Sequence, residues 1–339
     1  MKKIAIVVAK PLLKNNIFTT LPPLDFDNYL YHQRLLKEKL LENGYDLATY
    51  DINQIEDSEI VFYYDSIEPL PKKTSQQRNF LFLWESSVIS PKTYDLDKHK
   101  YFDKIFTWND ELVDGDRYIK ICFSHEIISK INLDLSSKDK LCTLVAGNKD
   151  VVHPFELYTK RIEAIRWFEA HHPEDFDLYG RGWDDYLPRS WFAKKIYYRA
   201  PFGKKIMSFL FKKPYLSYKG ELDAKIPVIA KYKFAICYEN ARDIPGYITE
   251  KIFHCFFAGC VPIYWGPDDI TDYIPANCFI DKRKFTTYGE LYDYISTMAD
   301  EDYLTYLRNI ELFLNSPEVK QFSARNFTEV VINEVVNEK

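Results

Sequence analysis

The chain has 339 residues, more than one ordinary core takes and about right for two domains. Hydrophobic residues make up 46% and charged residues 28%, the balance of a folded globular protein. A net charge of −5 excludes general nucleic-acid binding as a leading reading, because that binding rests on neutralising phosphates.

In chain order, Ile4–Val8 is a short continuous apolar run, as a buried parallel strand requires. It starts behind Met1-Lys-Lys and meets Lys10 and Pro11 with no small-residue cleavage site, so a first strand is expected rather than an export signal. Residues 10–30, rich in Pro, Phe and Asn, are a candidate ligand-binding loop. Asn28–Asn43 carries leucines near helical spacing and ends at Gly44, a natural helix terminator. Leu47–Tyr50, Ile60–Tyr64, Phe80–Trp84, Lys104–Thr107 and Tyr118–Cys122 read as further strands, and the polar stretch Asn132–Lys140 as a linker. The second half restarts with strand Leu141–Ala146, a helix over Glu156–Ala170 and strand Phe176–Tyr179. Strand Lys233–Tyr238, helix Thr249–Ala258, strand Val261–Trp265 and a mostly helical end follow. Strands alternating with helices predict an α/β protein of two doubly wound halves facing across a cleft, with ligands outside the carboxyl ends of the strands. The expected domains are 1–135, 140–315 and a helical segment 316–339 that packs back on the first.

None of the six cysteines forms a C-x-x-C pair, and most lie in apolar runs. Buried free thiols are expected, pointing to a reducing compartment. No apolar stretch reaches the roughly 18 residues of a membrane span, and a cytoplasmic location is expected.

The most informative stretch is 234–281, which reads as strand, loop, helix, strand, loop. Pro245-Gly246 punctuates the loop before the helix, and Thr249 or a residue just before it is expected to cap the helix. The helix N-terminus is a ready anion site. Lys251 in the first turn disfavours the helix, and an anionic ligand such as a diphosphate explains it. Glu250 beside it can accept hydrogen bonds from a ribose diol. The bland alternative is an ordinary βαβ unit with solvated charges. Asp268-Asp269 is expected to be a solvated loop rather than a metal pair.

This stretch holds Glu239-Asn240, Gly246-Tyr-Ile-Thr-Glu-Lys251, Ala258-Gly259, Val261-Pro-Ile-Tyr-Trp-Gly266 and Ile274-Pro275. It resembles the signature of the α1,3/α1,4-fucosyltransferases, glycosyltransferase family 10. The resemblance is close over the second half, including Tyr218-Lys219-Gly220, and looser over the first. It implies a GT-B architecture of two Rossmann-like domains, a GDP-fucose donor in the C-terminal domain, an inverting transfer to a glycan hydroxyl, and no metal or cofactor. Carried over by motif, Glu250 binds the ribose and Lys251 the diphosphate. Tyr247 lines the same pocket, with Asn240 and Gly246 in the donor-site motif. An Arg on the first helix of the C-terminal domain holds the phosphates. Arg161 fits by its spacing to Ile165 and Phe168, with Lys160 and Arg166 as competitors. The acceptor implied is an oligosaccharide or glycolipid, with α1,3 linkage to N-acetylglucosamine or a related sugar.

An inverting transferase needs a carboxylate that takes the proton of the attacking hydroxyl. Phe80–Trp84 is a buried run ending abruptly at Glu85, which places that carboxylate on a strand's carboxyl-end rim facing the cleft. Glu85 is therefore the candidate base, and the family has its base in a similar place.

One segment departs from the rest. Residues 186–220 contain nine Lys or Arg and no Asp or Glu, interleaved with aromatic and aliphatic residues. Pro201 and Gly203 divide it into two short helices at most. Peripheral contact with an anionic membrane is one expectation. A solvated insertion whose lysines attract the donor's diphosphate is the other. The competing functions are a transferase for another GDP-sugar and a non-catalytic nucleotide- or glycan-binding protein. A dinucleotide oxidoreductase is excluded, because no G-x-G-x-x-G follows a strand.

Overall fold

The computed structural model describes residues 1–336 apart from 23, 24, 26, 73–75, 185–190 and 212–213, and apart from the side chains of 191, 194, 204 and 211. Six parallel strands form the first sheet: β1 (Lys2–Val7), β2 (Tyr45–Thr49), β3 (Ile60–Tyr64), β4 (Arg78–Leu83), β5 (Lys104–Thr107) and β6 (Tyr118–Lys120). Their order is β2-β1-β3-β4-β5-β6. Five more make a second parallel sheet: β7 (Lys140–Val145), β8 (Phe176–Tyr179), β9 (Tyr232–Tyr238), β10 (Val261–Trp265) and β11 (Ile280–Asp281), in the order β11-β10-β9-β7-β8. Helices cover both sheets, the α/β architecture expected from alternating elements.

Each sheet has its own core. Ile4, Ile6, Phe62, Phe80 and Phe82 are buried in the first, Cys142, Leu144, Phe234, Ile236 and Ile263 in the second. The last helix, Ala324–Val336, crosses back: Phe327, Val331 and Val335 join the first core, and Arg78 donates to the Val335 carbonyl at 2.5 Å. All six cysteines are free and buried.

Three boundaries differ from expectation for visible reasons. The first helix starts at Tyr31 rather than Asn28, because Asp27 and Asn28 adopt positive φ of 51° and 61°, outside the right-handed helical region. β6 ends at Lys120, whose ammonium turns to the Trp108 carbonyl at 2.8 Å; the Ile121 N–H still donates to the Thr107 carbonyl at 2.9 Å, and Cys122 and Phe123 stay buried beyond the sheet. The 132–140 stretch is not a free linker. Lys138 Nζ donates to the carbonyls of Ala230 (2.9 Å) and Gly259 (2.7 Å), and a Cβ on Gly259 would sit 2.6 Å from the Asn132 oxygen.

The two sheets meet through rings and a small polar knot. Trp108 lies 4.7 Å from Tyr247 and His125 4.5 Å from Phe253, between ring centroids. Lys120 binds Asp110 (2.5 Å) and Tyr273 (2.7 Å).

Candidate active site

A cavity of about 420 Å³ opens between the carboxyl ends of both sheets. Glu85 reaches it from beyond β4, Phe123 from beyond β6, Gly147–Lys149 from beyond β7, Gly180 and Arg181 from beyond β8, and Asn240 from beyond β9. Tyr247, Glu250 and Lys251 close one wall, with Arg161 and Lys225 beside them. A larger depression of about 860 Å³ lies at the amino ends of the first sheet's strands, lined by Lys2, Glu59 and Arg78. Open parallel sheets bind ligands at the other end, so the cleft is the candidate.

The β9 wall is organised by Glu239, a fully buried carboxylate. It accepts from the Thr249 backbone N–H (2.9 Å), the Thr249 hydroxyl (2.7 Å), Lys251 Nζ (3.1 Å) and the Tyr264 hydroxyl (3.3 Å). Thr249 does occupy the N-cap of helix Glu250–Phe257, but its side chain makes no cap bond; it serves Glu239 and accepts from Lys251 Nζ at 2.9 Å instead. The cation at the positive helix pole is therefore compensated from within the protein, by Glu239 and by Glu250 at 3.8 Å. Burial disfavours the ammonium of Lys251, but Glu239 and Glu250 outweigh it and hold its pKa above the usual lysine range. Burial would likewise raise Glu250, yet Lys251 and Lys225 overcome it and hold this carboxyl well below the usual range. Both groups are charged at neutral pH.

Arg161 is 3% exposed, with one guanidinium nitrogen donating to the carbonyls of Tyr238 (2.6 Å) and Glu239 (2.9 Å) and to the Asn240 side chain (3.1 Å). It alone of the three competing cations lines the cavity: Lys160 pairs with Glu163, and Arg166 with Glu169. Asn240 also donates to the Tyr247 hydroxyl at 3.3 Å, so it spaces Arg161 from Tyr247. Gly246 does not line the cavity. At φ +78° it lets the loop close on the first half, where a Cβ would lie 2.4 Å from the Trp108 carbonyl oxygen. Its N–H donates to Asp269 at 2.9 Å. Asp269 is thus a loop anchor rather than a solvated residue, while Asp268 pairs with Arg283.

Across the cleft, Glu85 is held by its backbone. Its N–H and that of Trp84 donate to the Asp65 carboxylate at 3.0 and 2.9 Å, and Tyr94 donates to its carbonyl at 3.0 Å. Among the described residues, its side chain has one hydrogen-bond contact, a long 3.5 Å one from the Tyr247 hydroxyl. Burial pushes the Glu85 carboxyl above the usual range, Lys251 pulling it back and Glu250 adding to the rise. Burial also pushes Asp65 up to about 7.

Sequence reasoning missed Glu239 as a site residue although it stood in the motif, and it missed Lys149, Lys225 and Asp65. Gly147-Asn148-Lys149 follows a buried strand directly, the same signal that located Glu85. Asp65 also follows a buried strand directly, behind Ile60–Tyr64, so the same signal could have found it; Lys225 carries no such local signal. The 10–30 segment reaches the cleft through Tyr29, and Asp27 accepts from the Lys225 N–H at 2.7 Å; Pro23, Leu24 and Phe26 lie outside the described residues. Among the described residues, His172, Glu174 and Asp175 are grouped closely enough for a metal, at the amino end of β8 and away from the cavity.

Residues 206–325 match the model for glycosyltransferase family 10 (fucosyltransferase), C-terminal part. An α-(1,4)-fucosyltransferase of Arabidopsis thaliana is 36% identical over 73 residues, 22% of this chain and 18% of its own length. An α-(1,3)-fucosyltransferase of Helicobacter pylori is 36% identical over 67 residues, 20% and 14% respectively. The mouse 4-galactosyl-N-acetylglucosaminide 3-α-L-fucosyltransferase 9 is 38% identical over 85 residues, 24% and 23%. The chain thus aligns with less than a quarter of each relative's length. A crystal structure of an α1,3-fucosyltransferase with GDP-fucose covers all of this chain and 91% of its own, at 15% identity and a TM-score of 0.52. An α-glucosyltransferase bound to UDP and DNA matches over the whole of both chains at 12% identity and 0.54. At such identities the likeness is one of fold, and that fold is GT-B.

Proposed function

We propose, from the match of residues 206–325 to the glycosyltransferase family 10 fucosyltransferases, that the chain transfers L-fucose from GDP-fucose to a glycan hydroxyl, with inversion and without a metal ion. The observation that carries the reading is one cavity with two unlike walls: Lys251, Arg161 and Lys225 beside Glu250 on one side, and Glu85 with raised proton affinity on the other. The cations hold the diphosphate and stabilise the charge that grows on it as the C–O bond to the sugar breaks. Glu250, kept ionised, accepts from the ribose hydroxyls. Glu85 takes the proton of the acceptor hydroxyl as that oxygen bonds the anomeric carbon and GDP leaves with the electron pair. The sugar follows from the relatives' activities, as does N-acetylglucosamine as acceptor.

The test is product mass after incubation with GDP-fucose and a lactosamine-type acceptor, with EDTA present. One added deoxyhexose is expected. Transfer that EDTA abolishes would overturn metal independence, and transfer from GDP-mannose alone would overturn the sugar. Well-folded protein that binds no guanine nucleotide would sink the reading altogether.

A further inference from the structure

The 186–220 segment leaves the second sheet after β8 and returns beside it, where the Lys219 N–H donates to the Leu178 carbonyl at 2.8 Å. Between these points stand two nine-residue helices, Trp191–Arg199 and Gly203–Phe211. Gly203 brings them together, since a Cβ there would lie 2.1 Å from the Ile196 carbonyl oxygen. Tyr197 and Met207 are buried.

The outward face is the reverse of an ordinary surface helix. Ile206, Phe209 and Leu210 recur at i, i+3 and i+4 on the second helix, and Phe202, at φ 58° just ahead of it, adds to this apolar stripe. A stripe with this spacing normally faces a core. Here Phe202, Ile206, Phe209 and Leu210 are 79%, 51%, 88% and 61% exposed, and Phe192 and Tyr198 of the preceding helix are 67% and 70% exposed. Lys195, Arg199 and Lys205 are exposed in the same two helices. Of the six remaining bases in the segment, Lys219 pairs with Asp177 at 3.4 Å, Arg189, Lys212 and Lys213 lie outside the described residues, and so do the side chains of Lys194 and Lys204. A core, or a second protein with ordinary mixed charge, has no use for nine bases without one acid. An anionic bilayer surface matches both features: apolar side chains enter the acyl boundary and bases meet the headgroups.

We propose that this helical pair docks the protein on an anionic lipid surface, Phe202, Ile206, Phe209 and Leu210 entering the interface. Its stems join it to the cleft. Gly180 and Arg181 on entry and Leu222 on exit line the cavity. The incoming stem is pinned by the Trp183 indole on the Ala146 carbonyl at 2.6 Å, and the outgoing stem by Arg166 over Tyr215 at 3.8 Å. The docking holds whatever the cleft does; that it delivers a lipid-linked acceptor rests on the transferase reading.

The experiment is flotation of the full chain with vesicles of phosphatidylcholine alone or mixed with phosphatidylglycerol, at low and high salt. On the order of tenfold more bound protein is expected on the mixed vesicles, most of it released by salt. Phe209→Ser with Leu210→Ser should lower binding by about tenfold or more, and Lys195→Glu with Lys205→Glu should remove the preference for anionic lipid. Thermal stabilisation by GDP, read on the same variants, should not change, which separates this inference from the reading of the cleft. Equal binding to both vesicle types, or no effect of the serine pair, overturns the proposal. So does gel filtration showing a dimer that the serine pair converts to monomer with vesicle binding absent throughout, because the stripe would then cover a second copy.

Discussion

Glu239 and Glu85 each stand just beyond the carboxyl end of a parallel strand, β9 in one sheet and β4 in the other, and their surroundings differ. Glu239 is wholly buried and accepts four hydrogen bonds, one from a lysine ammonium. Glu85 is half-buried, and among the described residues its carboxylate has a single long hydrogen-bond contact. A saturated carboxylate fixes geometry and charge. One short of partners in a dry place holds its proton more tightly and can exchange it with a substrate. The β9 wall therefore suits binding of a charged donor, and the β4 rim suits proton transfer.

Glu85→Gln removes the proton-accepting carboxylate and leaves the β9 wall intact. Turnover should fall by about 10²–10⁴-fold, with GDP affinity unchanged by titration; a matching loss of affinity would erase the distinction between the walls. Lys251→Met leaves the Glu239 carboxylate buried without its cation and should cost about 3–5 kcal/mol in denaturant unfolding. Adding Glu239→Gln should recover part of that loss. No recovery would mean that the pair is not coupled as described. Gly246→Ala drives a Cβ into the Trp108 carbonyl in a left-handed conformation, and about 1–3 kcal/mol of destabilisation is expected, with weaker GDP binding as the walls separate.

The smallest effect concerns pH. Asp65 has a folded pKa of about 7 against an unfolded value of about 3.9. The native state thus holds a proton that the unfolded chain has lost, so this contribution to stability is full below pH of about 4 and disappears as pH rises through about 7. Asp65→Asn should flatten the melting temperature over that window, and an unchanged slope would contradict the burial assigned to Asp65. Glu85, also raised, should place the acid limb of the rate profile above the usual glutamate range, activity rising with pH as the base form appears.

Much of this was legible in the sequence. The strands carry unbroken apolar runs, which is why their order along the chain could be read to within a few residues. Glu250 and Lys251 sit in a long motif with fixed spacing, and Glu85 ends a buried run abruptly. What escaped depends on distance in space. Asp65 bonds the backbone of residues 84 and 85, and Lys225 reaches Glu250 at 3.8 Å from another element. Neither pairing leaves a local trace. In the sequence Lys251 stands as a cation awaiting a ligand, because Glu239, twelve residues earlier, gives no sign there that it folds beneath it. Gly246 was placed in the donor site by its motif, whereas its conformation serves the closure of the two halves.

The division of labour between the walls is tested most directly by calorimetric titration of GDP, in EDTA, into wild type, Glu85→Gln and Lys251→Met, each shown by circular dichroism to be folded at the temperature used. The account predicts equal affinity for wild type and Glu85→Gln and a loss of at least about tenfold for Lys251→Met, the removal of one desolvated charge contact to a phosphate. Full affinity in Lys251→Met, or its loss in Glu85→Gln, would contradict the assignment of donor binding to one wall and proton transfer to the other.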